Sequence, residues 1–402
     1  MSQAVGHPAF ELPPPTGRYQ VATTSWRLTD SSRQETFSEA SGLRQVEVLA
    51  WYPAAAPRKG ALAPYLREGL AEVRSFAALL RAPETSFDAL AAVRTHAELD
   101  GAPAAGPARF PALVFSHGYT GIPSAYTALL EDLASHGYVV LSVVHPYEAT
   151  AATLDDGRVV SLLDQAGTLR QGIRDVFAEW GREDETMAAV TREAAESEQL
   201  RLLRGYLSGL RHTGIALRRW TADTRLVLDR LSSFPSTSLA GRLAARIDLN
   251  RMGVFGHSMG GVTAGEFCVE DRRCRAGLNL DGIPQYGTMI DKRLQRPFLM
   301  VYSARPGRRG ASDAIYRRAA SPYFRVDVRD TLHLEFSDMP FWGPLRERRM
   351  LGTMAPSRAS EITGAIVREY FGQELLGQRS PLLAGEPVFP EVTVSTFRPA
   401  TR

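Results

Sequence analysis

Residues 252–261 read Met-Gly-Val-Phe-Gly-His-Ser-Met-Gly-Gly, an apolar run that ends with glycines flanking Ser258 at positions 256 and 260. This pattern leaves the backbone few choices. Residues 251–255 are strand-like, and the small residues 260–265 suit the start of a helix. The chain must therefore leave a strand, turn sharply at the serine and enter a helix. Side chains at Gly256 or Gly260 would collide with the neighbouring strand and helix. A turn of this kind presents the serine hydroxyl at the top of a sheet, where it can serve as a nucleophile. The bland alternative is a tight glycine turn with a bystander serine.

The histidines narrow the choice. In hydrolases built on such a turn the triad runs serine, acid, histidine along the chain. The eight histidines are at 7, 96, 117, 136, 145, 212, 257 and 333, so only His333 follows Ser258. It lies in Arg329-Asp-Thr-Leu-His333, beyond the strand-like stretch 323–328. That puts it on a loop at a strand's carboxyl end, where catalytic groups collect in open parallel sheets. Asp281 is the expected acid, because it ends the apolar run 276–280 and enters a turn at Gly282. Asp313 is the alternative. It follows the next strand, 297–302, but comes after the Arg-rich stretch 305–310, which reads as an exposed loop where a carboxylate pairs with arginine. The strand 110–116 runs into Ser-His-Gly-Tyr119, and such a strand end supplies one oxyanion amide while the residue after the nucleophile supplies the other. The expected donors are the N–H groups of Tyr119 and Met259. His117 has no metal-ligating neighbours in the sequence, and no metal or organic cofactor is implied.

Five stretches together resemble a known family: Leu113-Val-Phe-Ser-His-Gly118, Leu133-Ala-Ser-His-Gly-Tyr-Val-Val140, Gly256-His-Ser-Met-Gly-Gly261, Leu278-Asn-Leu-Asp281 and the His333 loop. Over about residues 17–372 the chain resembles the platelet-activating-factor acetylhydrolases of the lipoprotein-associated and intracellular type, which have the α/β-hydrolase fold. The resemblance implies a calcium-independent esterase for short or oxidised acyl chains, with Asp281 rather than Asp313 as the acid. Other ester hydrolases of the same fold, acting on a polyester, a dienelactone or a soluble acetate ester, are the nearer rival. A catalytically silent scaffold that binds a ligand or partner is the remoter one.

The strand-like stretches recur near 19–29, 44–52, 111–116, 138–144, 251–256, 276–281, 297–303 and 323–329, mostly with helical patterns between them. That alternation predicts an α/β fold with a mostly parallel sheet covered on both faces. The expected catalytic domain is 17–375, with an N-terminal extension 1–16 and a Pro-containing extended tail 376–402. A charged helical insertion at 163–235 reads either as a cap over the site or as scaffold helices on the sheet. The amphipathic pattern of 66–80 reads as packing onto the core or as transient contact with a lipid surface. The partner expected is a small-molecule or lipid ester. Nucleic acid is excluded because 47 basic residues are spread along the chain and balanced by 44 acids. No apolar run spans a bilayer and no export signal is recognisable, so a cytoplasmic protein is expected; Cys268 and Cys274 could bridge the end of the nucleophile helix to the next strand, but the missing export signal favours reduced thiols.

Overall fold

The computed structural model describes residues 10–37, 42–106 and 109–399. Residues 1–9 of the expected N-terminal extension and 400–402 of the tail lie outside the described residues. In chain order the strands are β1 (Gln20–Gln34), β2 (Leu43–Ala54), β3 (Leu62–Pro64), β4 (Arg94–Leu99), β5 (Phe110–Ser116), β6 (Val139–Val144), β7 (Ala151–Thr153), β8 (Val159–Ser161), β9 (Ile247–His257), β10 (Ala276–Leu280), β11 (Phe298–Tyr302), β12 (Tyr323–Val328) and β13 (Val392–Phe397). Among the described residues eleven of them form one sheet in the order β13-β12-β11-β10-β9-β5-β6-β2-β1-β4-β3, and β7 pairs with β8 in a small hairpin. The centre is parallel from β6 through β5, β9, β10 and β11 to β12. β2 pairs antiparallel with both β1 and β6, so the sheet starts antiparallel. The alternation of strand and helix predicted this mostly parallel α/β sheet, and its arrangement is the α/β-hydrolase fold that the family resemblance implies.

The central strands are buried on both faces, and their alternate residues feed two cores. Leu113 and Phe115 of β5 join Phe255, Leu278 and Phe371 on one side. Ala112 and Val114 join Val254, Met300 and Phe267 on the other. A period of two distributes side chains this way, and the near-continuous apolar runs of β5 and β6 follow from having no wet face. Truncating Leu113, Leu278, Met300 or one of the phenylalanines to alanine would cost about 2–5 kcal/mol. Because the strands run parallel and in register, Ser116 beside Gly256, Leu280 beside His257 and Val301 beside Leu280 bring several carboxyl ends to one edge. The loops leaving that edge build the site.

The helices flank this sheet. They include α1 (Leu70–Leu79), α2 (Thr127–Ser135), α3 (Gln171–Glu179), α4 (Glu183–Arg192), α5 (Glu196–Leu207), α6 (Arg211–Arg230), α7 (Leu239–Ala244) and α8 (Met259–Glu270), with a long C-terminal helix Pro356–Leu376. The insertion divides between its two expected roles. α6 buries Thr213, Ala216, Leu217, Trp220, Thr224 and Val227, a helical stripe, and packs against α8 and the sheet as scaffold. The turn between α3 and α4 instead reaches the site, as described below. α1 turns Val73, Phe76 and Ala77 into the core, so its apolar side is occupied by packing.

Three expectations are corrected. The tail is more than an extended segment: Val392–Phe397 pairs antiparallel with β12 along its whole length, from Tyr323 opposite Phe397 to Val328 opposite Val392. The prolines at 390 and 399 flank this strand without interrupting it, which is where an edge strand tolerates them. Cys268 and Cys274 are not reduced but bonded to each other, because the end of α8 and the approach to β10 bring their Cα atoms to 5.1 Å. Asp313 is not on a solvated loop but buried. Among the described residues no helix is long and apolar enough to cross a membrane.

Candidate active site

β9 delivers Ser258 into a conformation of φ 56° and ψ −123°, which L-residues rarely adopt. Packing holds it there. A Cβ built on Gly256 would lie 2.3 Å from the carbonyl carbon of Gly260, and one on Gly260 would lie 2.0 Å from the carbonyl oxygen of Ser116. No side chain fits at either position, so the motif's glycines are required by contact. The Ser258 N–H donates to the Leu280 carbonyl at 2.8 Å, which pins the turn to β10.

β10 ends at Leu280, and Asp281 follows with φ 56°. Its Oδ2 accepts from His333 Nδ1 at 2.8 Å and from Ser303 Oγ at 3.0 Å, while Oδ1 accepts from the Ser303 N–H at 2.9 Å. Arg305 Nη2 sits 2.8 Å from the same Oδ2. Burial alone would raise the pKa of this carboxyl, but the Arg305 charge and the His333 hydrogen bond outweigh it and bring it down to about 2. The carboxylate is thus charged throughout the neutral range. His333 sits on a single 3₁₀ turn, His333–Phe336, beyond β12. Burial pushes its pKa below the ordinary imidazole value and Arg305 adds to this, with Asp281 opposing both. Since Nδ1 donates to the carboxylate, Nε2 is left as the basic nitrogen. Ser258, Asp281 and His333 line one cavity of about 210 Å³.

His257, between the motif's glycine and serine, is buried and is held at both nitrogens. Nδ1 meets the Tyr126 hydroxyl at 2.8 Å and Nε2 meets the His333 carbonyl oxygen at 2.8 Å. The carbonyl can only accept, so Nε2 donates and Nδ1 accepts from the tyrosine. Burial, with His333 nearby, drives its pKa well below that of free imidazole, consistent with this neutral tautomer. The motif's variable position therefore anchors the His333 backbone, a role that spacing alone does not reveal.

The two expected oxyanion donors are on the segments that meet at the serine turn. Met259 is the first residue of α8, so its N–H belongs to the turn that has no helical acceptor. The Tyr119 N–H is given to no acceptor among the described residues. The strand end that carries it is close: a Cβ on Gly118 would lie 3.3 Å from Ser258 Cβ.

Asp313 serves elsewhere. Its Oδ1 accepts from the Tyr302 and Tyr323 hydroxyls at 2.9 and 2.7 Å, and Oδ2 accepts from Arg325 at 2.7 Å. It does pair with arginine, but inside the protein. Four charged or aromatic residues of the cavity, Arg305, Trp180, Glu183 and Tyr286, were not expected. Arg305 was read as part of an exposed loop; its place two residues beyond Ser303, at the end of the strand next to Asp281's, was the available signal. Trp180 and Glu183 come from the insertion, and Tyr286 follows β10. The Trp180 and Tyr286 rings are nearly parallel, 12° apart with centroids at 6.4 Å, and Tyr119 meets Trp180 edge-on at 5.5 Å. Trp180 Nε1 donates to Thr213 Oγ1 at 3.1 Å, and the Tyr286 hydroxyl donates to Glu183 at 2.6 Å.

Comparison with known proteins adds to this geometry. Residues 7–169 match the family model described as platelet-activating factor acetylhydrolase, isoform II. The platelet-activating factor acetylhydrolase of Cavia porcellus is 27% identical over 248 residues, 60% of this chain and 46% of that protein. That of Bos taurus is 24% identical over 200 residues, 49% of this chain and 40% of that protein. The chain thus spans less than half the length of these curated relatives. Among solved structures, the ferulic acid esterase from Streptomyces cinnamoneus matches with a TM-score of 0.71 at 30% identity, over 96% of this chain and 98% of that one.

Proposed function

The chain belongs to the platelet-activating-factor-acetylhydrolase-like family of α/β-hydrolase-fold esterases, and from that premise we propose that it is a serine carboxylic-ester hydrolase working through Ser258, His333 and Asp281. Ser258 Oγ attacks the acyl carbonyl as His333 Nε2 takes its proton. The same nitrogen then protonates the leaving alcohol, and water activated by it releases the acyl group. Asp281 holds the Nδ1–H tautomer and stabilises the imidazolium as it forms. The Tyr119 and Met259 N–H groups receive the oxyanion, each worth on the order of 3 kcal/mol of barrier by analogy with measured donors. The observation that carries the reading is the 2.8 Å contact between His333 Nδ1 and Asp281 in the cavity that also holds the strained Ser258.

The substrate we propose is an ester with a short acyl group, of phospholipid or related kind. A cavity of about 210 Å³, walled by Trp180 from the insertion, favours few acyl carbons. Extra methylenes would meet that wall without gaining burial. Contact with a lipid surface would have to use another element than α1, whose apolar side is packed. A second reading has its own support. The ring faces of Trp180 and Tyr286, with the edge contact from Tyr119, suit a planar aromatic acyl group, and the solved relative of nearly full coverage is a ferulic acid esterase.

Turnover of p-nitrophenyl esters from acetate to laurate, beside an aryl-acid ester, separates the two readings. Acetate far above laurate supports the first, and the aryl-acid ester above both supports the second. Laurate as fast as acetate would overturn the short-acyl reading. Ser258→Ala and His333→Ala should each lower kcat by several orders of magnitude with the fold intact, and a fluorophosphonate should label Ser258. A variant that keeps about a tenth of wild-type kcat would remove its residue from the mechanism.

A further inference from the structure

We propose that His117 is a positioning residue that aims the Tyr119 amide at the developing oxyanion. The inference rests on the serine-esterase reading above, and it concerns one peptide unit. The Gly118 carbonyl and the Tyr119 N–H belong to the same trans peptide, so they point in opposite directions. Whatever holds the oxygen therefore sets the direction of the hydrogen.

His117 holds that oxygen. Its Nδ1 lies 2.7 Å from Gly118 O, and the Gly121 N–H donates to the same atom at 2.9 Å. A carbonyl oxygen can only accept, so Nδ1 carries the proton. At the other side of the ring, Nε2 lies 3.3 Å from the His145 backbone N–H, which can only donate. Both contacts demand the same neutral tautomer, with Nδ1–H and a bare Nε2. The ring has no solvent exposure, and it packs edge-on against His145 and Trp220 with centroids 5.4 and 5.0 Å away. Burial, with His145 nearby, pushes its pKa down to about 3, so the tautomer persists across the working range.

The support behind His117 is itself fully buried. His145 stacks on Trp220 with centroids 3.9 Å apart and gives Nδ1 to Asp223 at 2.9 Å, and Asp223 pairs with Arg44 at 2.6 Å. Trp220 of this cluster also meets the Tyr119 ring, with centroids 6.0 Å apart. The cluster's polar atoms make sense as a fixed backing for the loop that ends in Tyr119. The next peptide back is held as well, since the Gly118 N–H donates to the Tyr126 hydroxyl at 3.3 Å. The Tyr119 N–H is given to no acceptor among the described residues, and the loop that carries it lies close to the serine, since a Cβ on Gly118 would be 3.3 Å from Ser258 Cβ.

The test compares His117→Ala, His117→Asn and His117→Phe with the wild type. Asparagine places an N–H donor near the position of Nδ1, and phenylalanine keeps the ring without the donor. The measurements are kcat and KM on p-nitrophenyl acetate, inhibition by a boronic acid that forms a tetrahedral adduct on the serine, and thermal melting. Loss of a whole oxyanion donor costs about 10²–10³ in kcat; here the amide stays and Gly121 still helps to hold it, so about 10–100-fold is expected for the alanine and phenylalanine variants. KM should change less than threefold, boronate affinity should fall in step with kcat, and asparagine should recover most of both. Three results each overturn the inference: folded alanine and phenylalanine variants within twofold of wild-type kcat, a fall in kcat with boronate affinity unchanged, or a folded asparagine variant no better than phenylalanine. If the wild type neither binds the boronate nor loses activity as Ser258→Ala, the serine-esterase reading fails first, and this inference falls with it.

Discussion

Replacing Asp281 by asparagine tests the electrostatics of the site most directly. The change removes one charge and keeps the size of the side chain. In the wild type the carboxylate is fully buried and lies 2.8 Å from His333 Nδ1. When His333 takes the serine proton, a positive ring forms about 4 Å, centre to centre, from a negative carboxylate. At an effective dielectric of 20 that attraction is about 4 kcal/mol, or about three factors of ten in rate. Arg305 already neutralises part of the carboxylate, which trims this figure. The asparagine adds a second loss, because its amide N–H can turn toward Nδ1 and leave the proton on Nε2, the wrong tautomer for a base. Arg305 is also left without its counter-charge, and so opposes the imidazolium more strongly. The expected fall in kcat is about 10³ to 10⁴. Asp313→Asn is the control. It weakens two tyrosine hydrogen bonds and an arginine pair inside the protein, so it should cost about 1–3 kcal/mol of stability and less than about tenfold in kcat. Steady-state kinetics on p-nitrophenyl acetate and calorimetric melting of both variants give the comparison. If Asp313→Asn lost more activity than Asp281→Asn, the assignment of the acid and the energetic argument would both fail.

Two further outcomes follow from the charges around the cavity. Arg305→Gln should move the acid limb of the kcat/KM profile to higher pH: the arginine holds the His333 pKa down, the neutral imidazole is the working base, and removing the positive charge lets the ring protonate earlier as pH falls. A limb that stays put, or moves to lower pH, would contradict the role given to Arg305. Treatment with EDTA should leave ester turnover unchanged, because among the described residues no group of three or more His, Cys, Asp or Glu side chains is placed to hold a metal ion; loss of activity on chelation would sink the metal-free mechanism.

The parts of the site that were legible in the sequence are those in which neighbouring residues carry the constraint. Gly256 and Gly260 are needed by contacts within one turn, and the ordering of serine before histidine leaves His333 alone. Asp281 was readable because a buried strand ends on it. The same rule failed one strand later. Ser303 and Arg305 follow β11 directly, yet the Arg-rich composition of 305–310 suggested solvent. What that composition hides is the opposing charge, since Arg305 faces Asp281, and Arg308 is buried against Glu183 and Asp184. A run of arginines reads as surface only when its acids are not known to be supplied by a distant part of the fold. The acids at 183 and 184 are the other half of that ion-pair cluster, over a hundred residues away in the sequence. β13 is of the same kind, set by the sheet's pairing of the late segment Val392–Phe397 with β12.

That failure bears on specificity. The chemistry of the site sits on strand ends, where local pattern and sheet topology agree. The cavity walls formed by Trp180 and Glu183 of the insertion and by Tyr286 meet only across the fold. Glu183 joins the two sets, taking the Tyr286 hydroxyl at one oxygen and Arg308 at the other. The insertion is therefore fastened to the loops after β10 and β11, the loops that also carry Asp281 and Arg305. Changes at Trp180 and Glu183 can alter which ester fits while leaving the elbow at Ser258 untouched, because the elbow turn is held by its own glycines and by the Leu280 carbonyl. Relatives that share the elbow and differ in this segment are expected to share the reaction and differ in substrate, the physical sense in which a fold fixes chemistry more firmly than specificity.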